Sequence, residues 1–194
     1  MRLKPSVIIF LLATATTAFA QRPGPEFWRR VGCEPLEPRT KLEALDDRQG
    51  TVVIKGFARI TTLTVSGVRI DAVEMKEAGN VGRAKGIVVS LRDGGERPRE
   101  GRAFVDYEEI DQLLKAIDVI AAVDETSTKL VGFEARYRTH GDLELTVFRQ
   151  TRSGNAVTLT TGVCEQATQS ISLDDLAKIK AMIQEAKSRL DELR

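Results

Sequence analysis

The side chains that most often carry catalysis or bind metals are sparse in this chain. His140 is the only histidine, and it lies in the turn sequence Thr139-His140-Gly141 with no nucleophile motif beside it. A histidine-based metal cluster is therefore not expected, and two distant cysteines cannot replace one. A Ser-His-Asp arrangement would have to use the same histidine. These residues predict no catalytic, metal or cofactor site.

Paired carboxylates occur at Asp46-Asp47, Glu108-Glu109 and Asp174-Asp175. The last two pairs fall in the first turns of predicted helices, where carboxylates interact favourably with the helix dipole. Gly94-Gly95 lacks the strand-to-helix context and the Lys-Ser/Thr pair of a phosphate-binding loop. An enzyme that uses only Asp, Glu, Arg and Tyr stays open, because a sequence does not reveal which of these side chains share a pocket.

Cys33 and Cys164 are the two cysteines. An even count in an exported chain favours a disulfide bond, and this one would close a loop of more than a hundred residues. In the chain-entropy model such a bridge stabilises by about 4 to 5 kcal/mol. Two unrelated buried thiols are the alternative.

The first twenty residues have the pattern of a secretory signal peptide. Arg2 and Lys4 precede an apolar run at 7–13, and Ala18-Phe19-Ala20 fits the signal-peptidase site, so the mature chain is predicted to begin at Gln21. The apolar run has roughly half the length of a membrane span, which argues against an anchor. The protein is therefore expected to be periplasmic or secreted, with no membrane span after cleavage.

Composition sets further bounds on the mature chain. Cleavage leaves 174 of the 194 residues, enough for one ordinary domain. Loss of Arg2 and Lys4 from 29 basic residues leaves 27 against 28 acidic ones, a formal net charge of −1. This balance gives no electrostatic argument for nucleic acid as a partner.

The elements predict an α+β fold. Residues 21–40 form a proline-rich arm, and residues 41–194 form a domain of two pseudo-repeats, about 48–122 and 129–194. Alternating apolar residues predict about four strands in each, and a helical apolar stripe follows them. The expected product is two antiparallel sheet-and-helix units, ββββα twice, packed into one domain.

The apolar and charged residues on either side of His140 predict how the two strands of this hairpin pair. Pairing Tyr137 with Leu143 keeps the apolar residues on one face and places Arg138 opposite Asp142. This pairing leaves the three-residue loop Thr139-His140-Gly141. Gly141 is predicted to have a left-handed backbone conformation at the end of that loop.

Both main helices have cap signals. Asp106 with Glu109 predicts a capping-box variant for the first helix, and Ser172 with Asp175 does so for the last. At the same offset Leu113 aligns with Ile179, which suggests an internal duplication.

Three segments carry a resemblance to known proteins: residues 40–44 with 50–56, residues 104–114, and residues 128–139. They resemble a small family of exported proteins to which no activity is assigned, which implies a shared fold and no particular chemistry. Two four-strands-plus-helix units are also similar in architecture to the single-stranded nucleic-acid-binding folds of the Whirly and Pur type. The basic, aromatic sheet face of those proteins is not evident here, and nucleic acid is not expected as a partner.

The sequence thus favours a small exported binding or structural module that contacts another envelope or extracellular protein. A carrier of a small apolar or amphiphilic ligand is the alternative. Leu190 and Leu193 at the end of the last helix are candidate contacts for a partner or for weak self-association.

Overall fold

The computed structural model describes residues 37–79, 82–95, 98–150, 154–162 and 166–193. Within them the chain forms eight strands and three helices, together with a short 3-10 turn at Tyr107–Glu109. The first half consists of α1 (Lys41–Asp46), β1 (Val53–Arg59), β2 (Val68–Glu77), β3 (Arg83–Arg92), β4 (Glu100–Asp106) and α2 (Ile110–Ala122). The second half consists of β5 (Glu134–Arg138), β6 (Leu143–Gln150), β7 (Gly154–Thr161), β8 (Ala167–Ile171) and α3 (Leu173–Asp191).

The strands form two antiparallel sheets, with the orders β1-β2-β3-β4 and β5-β6-β7-β8. Each strand pairs with its neighbour in the chain, and each sheet is followed by a helix. The predicted α+β class, with ββββα in each half, is therefore confirmed.

Each long helix packs against the sheet of the other half. α2 follows the first sheet but contacts β5 and β6, whereas α3 follows the second sheet but contacts β2 and β3. The two helices also touch each other. Their apolar stripes and the inner faces of both sheets form one continuous core that the two halves share. Aligned positions such as Leu113 and Ile179 are both buried, while the duplication itself stays a prediction.

β3, like the middle of its neighbour β2, is buried on both faces. Ile87 and Val89 face the common core, while Val88 between them faces the opposite side and packs in a second cluster beneath α1. This explains why β3 is an almost unbroken apolar run rather than an alternating one.

The predicted hairpin register was wrong by two residues. Tyr137 pairs with Leu145 and Arg138 with Glu144. A shift of two preserves which face each side chain occupies, so the apolar pattern could not reveal it. The three-residue loop is 140–142, and the left-handed residue is Asp142, with φ of 62°.

Gly141 has a different reason to be glycine. It forms a bridge with Phe104 in β4, and a Cβ there would lie 1.9 Å from the Phe104 carbonyl oxygen. Glycine is therefore required here by the close approach of two backbones and not, as predicted, by a left-handed turn conformation.

The cap prediction holds for α3 and was wrong for α2. Ser172 Oγ accepts a hydrogen bond from Asp175 N at 3.0 Å, as expected. Asp106 makes no such bond to its own helix. Its carboxylate instead accepts from the backbone N–H groups of Lys41 and Leu42, at 2.8 and 3.2 Å, and so binds the start of α1.

Candidate functional site: the open outer face of the first sheet

The two leucines predicted to contact a partner lie in different environments. Leu190 is 1% exposed and belongs to the common core. Leu193, just beyond α3, is 38% exposed. It lines a groove of about 230 Å³ together with Gly56, Phe57 and Ala58 of β1. Partner contact thus stays a prediction for Leu193, while Leu190 is a core residue.

The predicted disulfide partners, Cys33 and Cys164, lie outside the described residues, as does most of the predicted arm.

The outer face of the first sheet is divided into a covered half and an open half. Leu42 and Leu45 of α1 cover the first half, where they pack on Val73, Met75 and other buried side chains. Gly86 permits this contact, because a Cβ there would lie 2.8 Å from Leu42 Cδ1. Since α1 is only six residues long, the other half of the face has no helix over it among the described residues.

We call the open half, together with Lys55 at its border with α1, the basic face and define it by Lys55, Phe57, Arg59, Arg69 and Arg102. The first three occupy alternate positions of β1, and therefore project from the same side of the sheet. Ser90 in β3 pairs with Arg69 on one side and Arg102 on the other, which aligns these side chains in a row across the strands.

Phe57 is the most unusual member of this face, since its large apolar side chain is 67% exposed. The β1 register places it opposite Val73 of β2, whose side chain is buried beneath α1. Phe57 therefore lies where the covered half ends. An exposed aromatic surrounded by cations is typical of contact surfaces rather than of isolated strand positions.

Asp71 is the carboxylate at the centre of the basic face. It is buried, and its two oxygens lie 3.1 Å from Arg59 Nε and 3.2 Å from Arg69 Nε. Arg69 Nε is close enough for an ion pair but is not aligned for a hydrogen bond, and it has no other hydrogen-bond partner. Asp71 therefore holds both guanidinium groups in place on the sheet.

The positive charge on this face exceeds the negative charge. The groove over it, about 190 Å³ in volume, is lined by four cationic side chains and by Asp71 alone among carboxylates. Two carboxylates outside this lining pair with two of its cations, Asp46 with Lys55 at 3.1 Å and Glu100 with Arg69 at 3.3 Å, so four cations face three carboxylates in all. In the part of the chain that the structure describes, no carboxylate lies within ion-pair distance of Arg102.

The groove is shallow, and its volume is below the roughly 300 to 1,000 Å³ typical of small-molecule pockets. Guanidinium groups bind carboxylates through two parallel hydrogen bonds, and the Phe57 ring adds apolar area between Lys55 and Arg59. This arrangement suits a protruding acidic surface better than an enclosed small molecule.

A second polar cluster lies where α2 begins. Glu109 is buried, and its Oε1 accepts a hydrogen bond from the His140 backbone N–H at 3.0 Å and lies 3.0 Å from His140 Nδ1. Its other oxygen has no hydrogen-bond partner. Burial, together with the nearby Glu109 charge, raises the pKa of Tyr137 above its usual value.

This cluster joins the β5–β6 hairpin to α2. The His140 imidazole is oriented by a carboxylate, as in a catalytic pair, but among the described residues no hydroxyl group hydrogen-bonds it. Glu109 therefore has a long-range contact, and the helix-dipole explanation predicted for it is incomplete.

No group of three His, Cys, Asp or Glu side chains among the residues that the structure describes is placed to hold a metal ion. No helix in these ranges has the length and apolar character needed to cross a membrane.

No family model matches the chain, and neither a curated protein nor a solved structure matches it. The two resemblances drawn from the sequence therefore stay predictions.

Sequence reasoning missed the basic face, and the prediction that the chain has no basic, aromatic sheet face was wrong, because cations and the exposed Phe57 share one face of the first sheet. Part of the signal is nevertheless readable. Lys55, Phe57 and Arg59 alternate within one predicted strand, which already places two cations and an aromatic on one side. Charges of opposite sign elsewhere in the strands conceal this local excess of positive charge when the strands are considered together. The positions of Arg69 and Arg102 beside them depend on strand pairing, which the sequence does not state.

Proposed function

We propose that this protein is an exported protein-binding module and that the basic face is its contact surface. The observation that carries the proposal is the exposed Phe57 among four cationic side chains on a sheet face that α1 leaves open. An aromatic anchor with arginines around it is the composition of energetically dominant interface residues.

The face is built for binding with little rearrangement. Asp71 fixes two of the arginines, and the strands beneath them are held by a fully packed core. A partner that brings carboxylates to this face gains charge-assisted hydrogen bonds without having to order flexible side chains first. Burial of the Phe57 ring then supplies the apolar part of the contact.

A carrier function has one observation in its favour, the apolar groove beside Leu193. At about 230 Å³ that groove is smaller than the usual range for ligand pockets and is open to solvent. The binding module is therefore the better supported proposal.

Export and the disulfide belong to the same proposal. The mature chain is expected to begin at Gln21, which sequencing of the exported protein's N-terminus tests. Peptide mapping without reduction should recover Cys33 and Cys164 in one linked fragment. Detection of both as free thiols in the exported protein would contradict the bridge.

Site-specific cross-linking tests the contact surface. A photo-reactive phenylalanine analogue replaces Phe57 in the exported chain in its native host, and the matched control carries it at Val119 of α2, which is 66% exposed. We expect position 57 to capture a defined envelope or extracellular protein that position 119 does not capture. Equal capture at both positions, or none at position 57, would contradict the basic face as the contact surface.

A further inference from the structure

β1 is an open edge of the first sheet. It pairs with β2 on one side, and no other strand among the described residues pairs with its second side. Five of its seven residues, Ile54 through Phe57 and Arg59, are exposed.

The pairing shows which backbone groups are free. Ile60 N donates to Ile70 O at 3.0 Å, and Ala78 N donates to Val52 O at 2.8 Å, so the even-numbered residues exchange hydrogen bonds with β2. The backbone N–H and C=O groups of the odd-numbered residues therefore point away from the sheet. In order these are Val53, Lys55, Phe57 and Arg59.

This edge is less protected against strand addition than the β5 edge of the second sheet, although Lys55 and Arg59 place two charges on it. β5, an edge strand of the second sheet, is five residues long and carries charges at alternate exposed positions. β1 is seven residues long and presents exposed Ile54 and Phe57, with Val52 exposed just before it. An exposed apolar edge strand is a template for another extended chain.

The two sides of the edge differ in chemistry. On the outer side, Lys55 and Arg59 flank Phe57 and continue into the basic face. On the inner side, Ile54 is exposed, and Ala58 lies in the apolar groove with Leu193. A strand added here places alternate side chains against cations and against apolar groups.

We propose that the partner adds an extended strand to β1, with carboxylates at alternate positions facing outward and apolar residues between them. The inference rests on the proposed function and identifies the partner's chemistry. A second copy of this chain is less suitable, because β1–β1 pairing joins two basic faces edge to edge and places like charges beside each other.

The probe is a capped peptide of four Val-Glu repeats, titrated into the mature protein and followed by amide NMR. We expect binding that protects the Val53, Lys55, Phe57 and Arg59 amides from hydrogen exchange. The same peptide methylated on the backbone nitrogens of its pairing edge, and a peptide of four Val-Lys repeats, should each bind at least about tenfold more weakly.

Paired variants test the charge requirement. Lys55→Glu should weaken binding by about tenfold, since a charge-assisted contact is replaced by repulsion. Lys115→Glu, which makes the same change at an exposed position of α2, should leave it unchanged.

Three results would overturn the inference. Binding that survives backbone methylation would mean that side chains alone are recognised. Protection of the β1 amides that increases with protein concentration in the absence of peptide would make a second copy the occupant. Absence of binding by the Val-Glu peptide, with partner capture intact at position 57, would overturn strand addition and leave the proposed function standing.

Discussion

Gly141→Ala tests the contact that joins the two halves at the edge of β4. The Cβ it adds would lie 1.9 Å from the Phe104 carbonyl oxygen, 2.8 Å from its carbonyl carbon and 3.0 Å from Thr40 Cγ2. Two of these atoms are backbone and cannot rotate away. The hairpin or β4 must therefore move by at least about 1 Å.

That movement has a cost with two parts. Displacement of packed backbone costs about 1 to 3 kcal/mol. Opening the bridge between Phe104 and Gly141, and loosening the His140–Glu109 hydrogen bond beside it, adds about 1 kcal/mol for each hydrogen bond weakened. We expect a total loss of about 3 to 5 kcal/mol, which lowers Tm by about 6 to 20 °C for a domain of this size.

Urea and thermal unfolding of the mature protein, followed by far-ultraviolet circular dichroism, measure this loss. Gly132→Ala is the matched control, because a Cβ at Gly132 meets no atom within 4 Å. It should stay within about 0.5 kcal/mol of the parent protein. If Gly141→Ala is equally harmless, the close approach of β4 and the hairpin is wrong.

Two further predictions concern the end of α3 and the cluster at α2. Leu190→Ala should lower the free energy of unfolding by about 2 to 5 kcal/mol, because it leaves a cavity in the core, whereas Leu193→Ala should cost less than about 1 kcal/mol. Similar urea midpoints for the two variants would contradict this difference. Glu109→Gln should lower the pKa of Tyr137, measured by phenolate absorbance, since it removes a nearby negative charge while burial still holds the value above normal. Because the folded state favours the neutral phenol, this contribution to stability is present below the usual pKa near 10 and is lost as pH rises through the raised value. An unchanged Tyr137 titration in the Glu109→Gln variant would rule out the charge as a cause.

The elements of the fold were predictable from local patterns. Alternation marked the strands, and the stripe from Ile110 to Ile117 marked α2, because burial of one face imposes a period on the sequence. The α3 cap at Ser172 followed from a hydrogen bond that spans only three residues.

Features that depend on distant contacts were not predictable in the same way. Asp106 has the sequence of a cap for α2, yet its carboxylate binds α1, which lies far away in the chain. The hairpin register failed because a shift of two residues leaves every side chain on its face. The observed hairpin places Gly141 against Phe104, a contact that no local pattern encodes.

The candidate site was predictable to a similar extent. One strand supplied Lys55, Phe57 and Arg59 in alternation, but the open area depends on where α1 stops covering the sheet. Arg102 adds its positive charge to this face because strand pairing places it in line with Ser90 and Arg69. Both follow from tertiary contacts rather than from composition.

Each long helix packs on the sheet of the other half, and this arrangement limits the order in which the protein can fold. During synthesis β2 and β3 are complete well before α3 has been made, so the apolar inner face of the first sheet has no cover until the whole second sheet has been added. A nascent chain of the first half therefore exposes strands that are prone to associate. We therefore expect the core shared by the two halves to close only after α3 has been made, whereas the cluster beneath α1 needs residues of the first half alone.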